Sequence, residues 1–347
     1  MNDVQWMDSE PIPVTPLRLS AFRETMRNAE YTQAVTGTGT IIAIAIDMTD
    51  PASAPFPGVR LARPAMATRF EWVLWGQPPE RLRAAGEEAL DEVEALEAAL
   101  SRYRSHTDIG RVNAEAAQGP VRVSPGTFRL LQRCRDLSVA TQGAFDITVG
   151  ALLQVWGFVG GMGQRPSPRA LAEARAASGW ERVHLDPDTG SVAFDRPGVE
   201  LDLGAIGKGY ALDRAMDLLH EAGVPHLLLH GGTSSIVTRG LAPNGQPWRV
   251  GLPGRPGAEM QESMSLQDES LSISAIWGKS FSDAGEELGH VLDPRTGEPV
   301  RRARWAAVNG PEATVTDALS TALLVLGPEG RPALEAAFPE YRLNHIE

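Results

Sequence analysis

From Val59 to the C-terminus, apolar residues recur with two different periods, and the two alternate irregularly along the chain. Residues 69–75 interleave aromatic and aliphatic side chains as a strand does. Leu82, Ala85, Ala89, Val93, Leu96 and Leu100 then return every three or four residues, which makes one apolar face of a long acidic helix. A second helix is expected to start at Ser124 and Pro125, a cap followed by a first-turn proline, and to bury Leu130, Leu131, Cys134 and Leu137. Strand patterns follow at 199–203, 226–230, 248–252 and 305–308, interleaved with helices near 206–222 and 316–326. The turn signal Asp186-Pro187-Asp188-Thr189-Gly190 joins 183–185 to 192–194 as a hairpin. Strands and helices mixed without a regular βαβ alternation predict an α+β fold, one large domain of mixed sheets and helices over 59–347. Residues 1–58, broken by Pro11, Pro13, Pro16, Pro51, Pro55 and Pro57, are expected to form an irregular N-terminal extension.

Composition narrows the function. The net charge of -12 repels polyanions unless cationic groups gather on one face, so nucleic acid is not expected as a partner. The longest apolar run of the first 58 residues, Ile41–Ile46, is too short to cross a bilayer, and no membrane span is expected. Without a basic-then-apolar leader or a lipid-bearing cysteine behind one, the expected compartment is the cytoplasm. Cys134 lies in a helical apolar pattern, away from any histidine or second cysteine, and reads as a small core residue.

Four short segments carry more chemistry than a fold requires. Asp202-Leu203-Gly204-Ala205-Ile206-Gly207-Lys208-Gly209 stands between a strand pattern and a helix pattern, where backbone N–H groups and a lysine can hold phosphate. Its spacing fits neither the P-loop nor the dinucleotide fingerprint, and a tight turn with a solvated lysine reads equally well. In His290-Val291-Leu292-Asp293-Pro294-Arg295-Thr296-Gly297, the histidine could accept a proton while Asp293 caps the turn. Asp317 and Thr321 sit four apart on one helix face and offer two hard oxygen ligands of the kind Mg²⁺ prefers, although an early-turn carboxylate also suits the helix dipole. As a surface carboxylate, Asp317 should be removable without loss of the fold. In Gly143-Ala144-Phe145-Asp146-Ile147-Thr148, an acidic residue follows an aromatic one; a helix-ending turn or a capped new helix would give the same pattern.

Together with Ser101-Arg102-Tyr103 and residues 108–113, these motifs resemble the ApbE family, the FAD:protein FMN transferases, over about residues 63–327. The resemblance implies a Mg²⁺-dependent enzyme that cuts the FAD pyrophosphate, attaches FMN to a Thr or Ser hydroxyl of a target flavoprotein, and releases AMP. It implies that Met66, Tyr103, Ala144, Phe145, Asp146, Asp202, Lys208 and Val291 line the FAD site. The metal would be held by the Ala205 carbonyl and the Asp317 and Thr321 side chains, with His290 near the reacting phosphate as the base. Three places depart from the family's usual pattern. Ala67 stands for a glycine, Thr233-Ser234-Ser235 follows the pair Gly231-Gly232 where Asp or Asn is common, and Ile273-Ser274-Ala275 replaces Thr-Ser-Gly. Two further readings use the same residues: an FAD diphosphatase giving FMN and AMP, with water in place of the hydroxyl, and a flavin-binding protein without turnover.

Overall fold

The computed structural model describes residues 30–35, 41–46, 58–252, 263–277 and 279–346. Its centre is a seven-stranded sheet of β1 (Gly58–Ala65), β2 (Thr68–Trp75), β3 (His226–Gly231), β4 (Ser235–Arg239), β5 (Ser270–Ala275), β6 (Trp305–Gly310) and β7 (Arg342–Ile346). Every neighbouring pair is antiparallel and the strands lie in chain order, so the sheet is a meander with long excursions inserted between strands. This is the expected α+β class, with helices and strands segregated rather than alternating.

Alternation along the strands gives the sheet two apolar faces. Phe70, Trp72, Leu74, Leu227, Leu229 and Val237 point to one side, where they pack with α1 (Pro79–Leu100) and α4 (Gly207–Glu221). Val73, Leu228, Ile236, Leu271, Ile273 and Trp305 point to the other, under the small hairpin of Trp248–Gly251 and Ser263–Leu266. Beyond α4, α5 (Ala313–Leu326) runs through the middle of the molecule between sheet and the remaining core. Every residue of α5 is buried except Thr321 and Leu326. The second cluster it joins is built by α2 (Asp108–Glu115), α3 (Pro125–Ala140) and a three-stranded sheet containing the expected hairpin, Val183–Asp186 against Ser191–Phe194. Cys134 is wholly buried there, and desolvation pushes its thiol above the usual range, as a core residue requires.

Two expectations change. Within the stretch expected to be irregular, Glu30–Val35 and Ile41–Ile46 pair as antiparallel strands, Glu30 opposite Ile46; the β-favouring run IIAIAI faces a second strand-forming run across five residues that include two glycines. The apolar segment 199–203, expected as a strand, joins no sheet among the described residues. Its backbone is satisfied locally: Leu201 N–H donates to Asn113 Oδ1 (2.8 Å), Asn113 Nδ2 donates to the Leu201 carbonyl (3.0 Å), and Asp202 N–H donates to the Ile147 carbonyl (2.7 Å). One side-chain amide thus does the work of a neighbouring strand.

Helices α4 and α5 cross at Gly209. A Cβ there would stand 2.2 Å from the Ala313 carbonyl oxygen and 2.9 Å from the Asp317 Cβ, so only glycine permits this approach. Gly209→Ala is therefore expected to cost about 2 kcal/mol or more, because the obstructing atom is backbone and cannot swing aside. Thermal unfolding measures it, and an unchanged Tm would refute the close crossing. The start of α5 is capped from α4: Asp213 accepts from the N–H groups of Ala313 (2.8 Å) and Thr314 (2.8 Å) and from the Thr314 hydroxyl (2.5 Å). Burial nevertheless raises its carboxyl to about 6.

Candidate active site

The excursions between strands, the end of β5 and the middle of α5 enclose a cavity of about 670 Å³. Tyr103, Ala144, Phe145, Asp146, Asp202, Ala205, Lys208, His290, Val291, Asp317 and Thr321 all line it, although they come from segments separated by up to 218 residues (321 minus 103). Met66 is absent from the lining. It occupies the two-residue turn between β1 and β2 with Ala67, both at positive φ (50° and 58°), and its side chain packs on the α1 and α4 cluster. The glycine usual at position 67 would adopt that backbone freely, so the alanine is accommodated with local strain.

Asp317 is not the surface carboxylate that periodicity suggests. It is 4 % exposed, and its oxygens are held from two elements: Oδ2 accepts from the Gly209 N–H (2.9 Å) and Oδ1 from the Ser235 hydroxyl (2.9 Å). Lys208 Nζ stands 3.9 Å from Oδ2 and donates to the Gly204 carbonyl (3.4 Å). Because α5 begins at Ala313, Asp317 lies past its first turn, and the dipole role falls to Asp213 instead. The Gly209 N–H is committed to Asp317 and the helical ladder of α4 begins with Tyr210 on the Ile206 carbonyl, so the Ala205 carbonyl lies outside that ladder, and Ala205 lines the cavity. Thr321 turns its hydroxyl hydrogen back to the Asp317 carbonyl (3.3 Å).

The other walls are braced by charged and capping contacts. Asp202 accepts from its own loop's Gly204 N–H (2.8 Å) and from Arg102 Nη1 (2.8 Å), while Arg102 also pairs with Glu200. Asp146 caps the short turn Ile147–Val149 through the Thr148 N–H (2.8 Å) and accepts from the Ser138 hydroxyl (3.2 Å). Both structural readings of that motif therefore hold, a helix-ending turn at Gly143 (φ 76°) and a new cap, while its carboxyl, raised by burial, still faces the cavity.

His290 follows the hairpin Ser280–Asp283/Glu286–Gly289, edge-on to Phe158. Its backbone N–H and its Nδ1 both meet the Lys279 carbonyl (2.9 and 3.2 Å). A carbonyl oxygen only accepts, so the ring proton belongs on Nδ1 and the Nε2 lone pair remains available. Desolvation holds the imidazole below the ordinary histidine value, partly opposed by that same carbonyl.

Lys279 was not singled out from the motifs, yet composition held a signal. Of 32 basic residues only two are lysines, Lys208 and Lys279, and both line this one cavity. A compact ammonium with three rotatable donors suits a phosphate as a point charge, where a planar guanidinium would pair edge-on with the nearby carboxylates. Apolar side chains, among them Phe145, Val149, Leu153 and Phe158, line the same cavity. A large cavity lined by apolar side chains together with two lysines and several oxygen-bearing groups suits an aromatic ligand that carries phosphate.

The model of the ApbE family matches residues 66–341. This chain belongs to the ApbE family. The crystal structure of the ApbE protein from Thermotoga maritima superposes with a TM-score of 0.76 at 28 % identity, covering 83 % of this chain and 96 % of that one. The apo form of the flavinyl transferase ApbE from Pseudomonas stutzeri gives a TM-score of 0.71 at 30 % identity, covering 80 % and 87 %. Among curated relatives, an FAD:protein FMN transferase of Klebsiella pneumoniae is 30 % identical over 259 residues, 72 % of each chain, and one of Vibrio cholerae is 29 % identical over 294 residues, 82 % of this chain and 86 % of its own.

The departures from the family pattern can now be placed. In β5, Ile273 belongs with Trp248 and Trp305 to the apolar cluster on the hairpin side of the sheet. Ser274, the retained middle residue, faces α5 and meets Ser320 (2.8 Å) and Thr321 (3.0 Å). The isoleucine at 273 thus trades a hydroxyl for apolar packing, while it and Ala275 still line the cavity.

Proposed function

We propose that this chain is an FAD:protein FMN transferase, an enzyme of the transferase class that moves FMN from FAD to a Thr or Ser hydroxyl of a protein and releases AMP. The observation that carries the reading is that Asp317, Thr321, Ala205, Lys208 and His290, from separate segments, all line one cavity. The donor set fits Mg²⁺: one carboxylate, one hydroxyl and one carbonyl are hard oxygens, and they are too few for a closed protein cage, which leaves positions for phosphate oxygens and water. Bound there, Mg²⁺ would neutralise charge on the pyrophosphate.

The chain's own residues do the rest. Lys208 and Lys279 offset phosphate charge, and the apolar wall takes the flavin ring and excludes water from it. His290 Nε2 accepts the proton of the incoming hydroxyl as its oxygen bonds to the FMN phosphorus. The pyrophosphate P–O bond breaks and AMP leaves with the bridging oxygen. Ile273 and Ala275 line the same cavity, and the presence there of Asp317, Thr321, Lys208 and His290 is what favours turnover over passive flavin binding.

The test is to incubate the purified protein with FAD and Mg²⁺, with and without a candidate acceptor flavoprotein. Acceptor carrying covalent FMN, with AMP formed in equal amount, is the expected result. Free FMN and AMP at the same rate with or without acceptor would instead establish the diphosphatase, and bound FAD without products would establish a binding protein.

A further inference from the structure

Strand β5 presents three serines to α5. Alternation sends Leu271 and Ile273 to the opposite face, and leaves Ser270, Ser272 and Ser274 against a helix that answers with Thr316, Ser320 and Thr321. Apolar residues normally fill such a sheet-to-helix contact. Buried hydroxyls are tolerated only when each finds a partner, and here each does. Ser270 donates to the Gly310 carbonyl (2.8 Å), Ser272 pairs with Thr316 (2.9 Å), and Ser274 pairs with both Ser320 (2.8 Å) and Thr321 (3.0 Å). The first two serines are fully buried and serve only to close the seam. The third pair is different, because Ser274 and Thr321 both line the cavity.

Counting protons gives the third pair a direction. Ser320 and Thr321 both donate to the Asp317 main-chain carbonyl (3.0 and 3.3 Å), which can only accept. The Thr321 hydrogen is therefore turned into the helix, and the Ser274 hydrogen goes to Ser320 or to Thr321. In either case the Thr321 oxygen keeps a lone pair free for the cavity, and where the Ser274 hydrogen goes to Thr321 the hydroxyl is also held from two sides, by the helix carbonyl and by Ser274. A cation needs that lone pair; a hydroxyl free to rotate would present its hydrogen part of the time.

We propose that Ser274 is a positioning residue that holds the Thr321 hydroxyl with its oxygen toward the cavity and thereby sets the affinity of this site for a divalent cation. The proposal rests on the reading of Asp317 and Thr321 as cation ligands given above. Outer partners of metal ligands commonly change affinity by 10- to 100-fold, so Ser274→Ala should raise the half-saturating Mg²⁺ concentration by about tenfold or more. The maximal rate at saturating Mg²⁺ should stay within about threefold of the parent, because the ligand itself remains.

Mn²⁺ titration followed by electron paramagnetic resonance, with FAD present, reads the affinity without reference to turnover. Ser272→Ala is the control: it removes an equally buried hydroxyl from the same seam, one pair farther from the cavity, and should lower Tm while leaving Mn²⁺ affinity unchanged. Combining Ser274→Ala with Thr321→Val should weaken Mn²⁺ binding no further than Thr321→Val alone. Should the alanine variant not fold, Ser274→Cys serves the same comparison, since a thiol of similar size is a weak hydrogen-bonding group. Parent-like Mn²⁺ affinity in folded Ser274→Ala or Ser274→Cys, or an equal loss in Ser272→Ala, would overturn the proposal while the cation site stands. Parent-like Mn²⁺ affinity in folded Asp317→Ala would remove the cation site itself, and the proposal with it.

Discussion

Asp317→Ala is expected to lower Mg²⁺-dependent transfer by at least about 100-fold at saturating FAD, since a cation on a transferring phosphoryl group contributes several kcal/mol and each 1.4 kcal/mol is a factor of ten. The same substitution will also lower Tm. Asp317 is buried and is the acceptor for the Gly209 N–H and the Ser235 hydroxyl, so alanine leaves two donors without their partner, at roughly 1–3 kcal/mol for each that stays dry. Asp317→Asn separates the two effects: the amide keeps the volume and one acceptor oxygen but loses the charge. It should retain more of the parent's Tm than alanine while losing comparable activity. Transfer rates measured across a Mg²⁺ series, alongside thermal unfolding, decide the matter, and a folded Asp317→Asn enzyme with parent activity would end the assignment of this residue as a cation ligand.

The four-residue spacing of Asp317 and Thr321 correctly puts them on one helix face, because helical period is a local property. Which face of α5 meets water is not local. It depends on β4, β5 and α4, which are up to 110 residues away in sequence (317 minus 207), and this is why a carboxylate expected at the surface is bound from two neighbouring elements in the interior. Helix α1 was legible from its apolar stripe, and so was the hairpin around residues 186–190 from its turn chemistry. The segment 199–203 misled for a definable reason: an extended apolar run reads as a strand whether its N–H groups meet another strand or, as here, the side chain of Asn113. The role of Asp213 is not legible in the sequence, since capping a helix 100 residues later leaves no periodic trace. Lys279 could have been found by counting. In a chain that otherwise uses arginine, a rare lysine is worth locating before any fold is known.

His290→Ala is expected to reduce single-turnover transfer by about 100-fold or more with FAD still bound, the scale at which a positioned general base contributes. Binding should persist because Lys208, Asp202, Asp146 and the apolar wall are contributed by other segments. The pH profile supplies an independent check. A base must be neutral, and burial lowers the affinity of this imidazole for a proton, so the neutral form persists further into acid than in a free histidine. The acid limb of the rate should therefore fall below the ordinary histidine value of about pH 6.5, with the rate dropping as pH falls through that limb, and His290→Ala should lose the limb altogether. A purely structural role makes the opposite forecast. The ring packs edge-on against Phe158 and bonds the Lys279 carbonyl, so its removal would then lower Tm and weaken FAD binding, with the parent's pH profile kept in whatever activity remains. His290→Gln distinguishes the two further, because its amide can still donate to the Lys279 carbonyl but cannot take up a proton near neutral pH. Stability recovered without activity fits the base, whereas activity recovered along with stability would take His290 out of the chemistry.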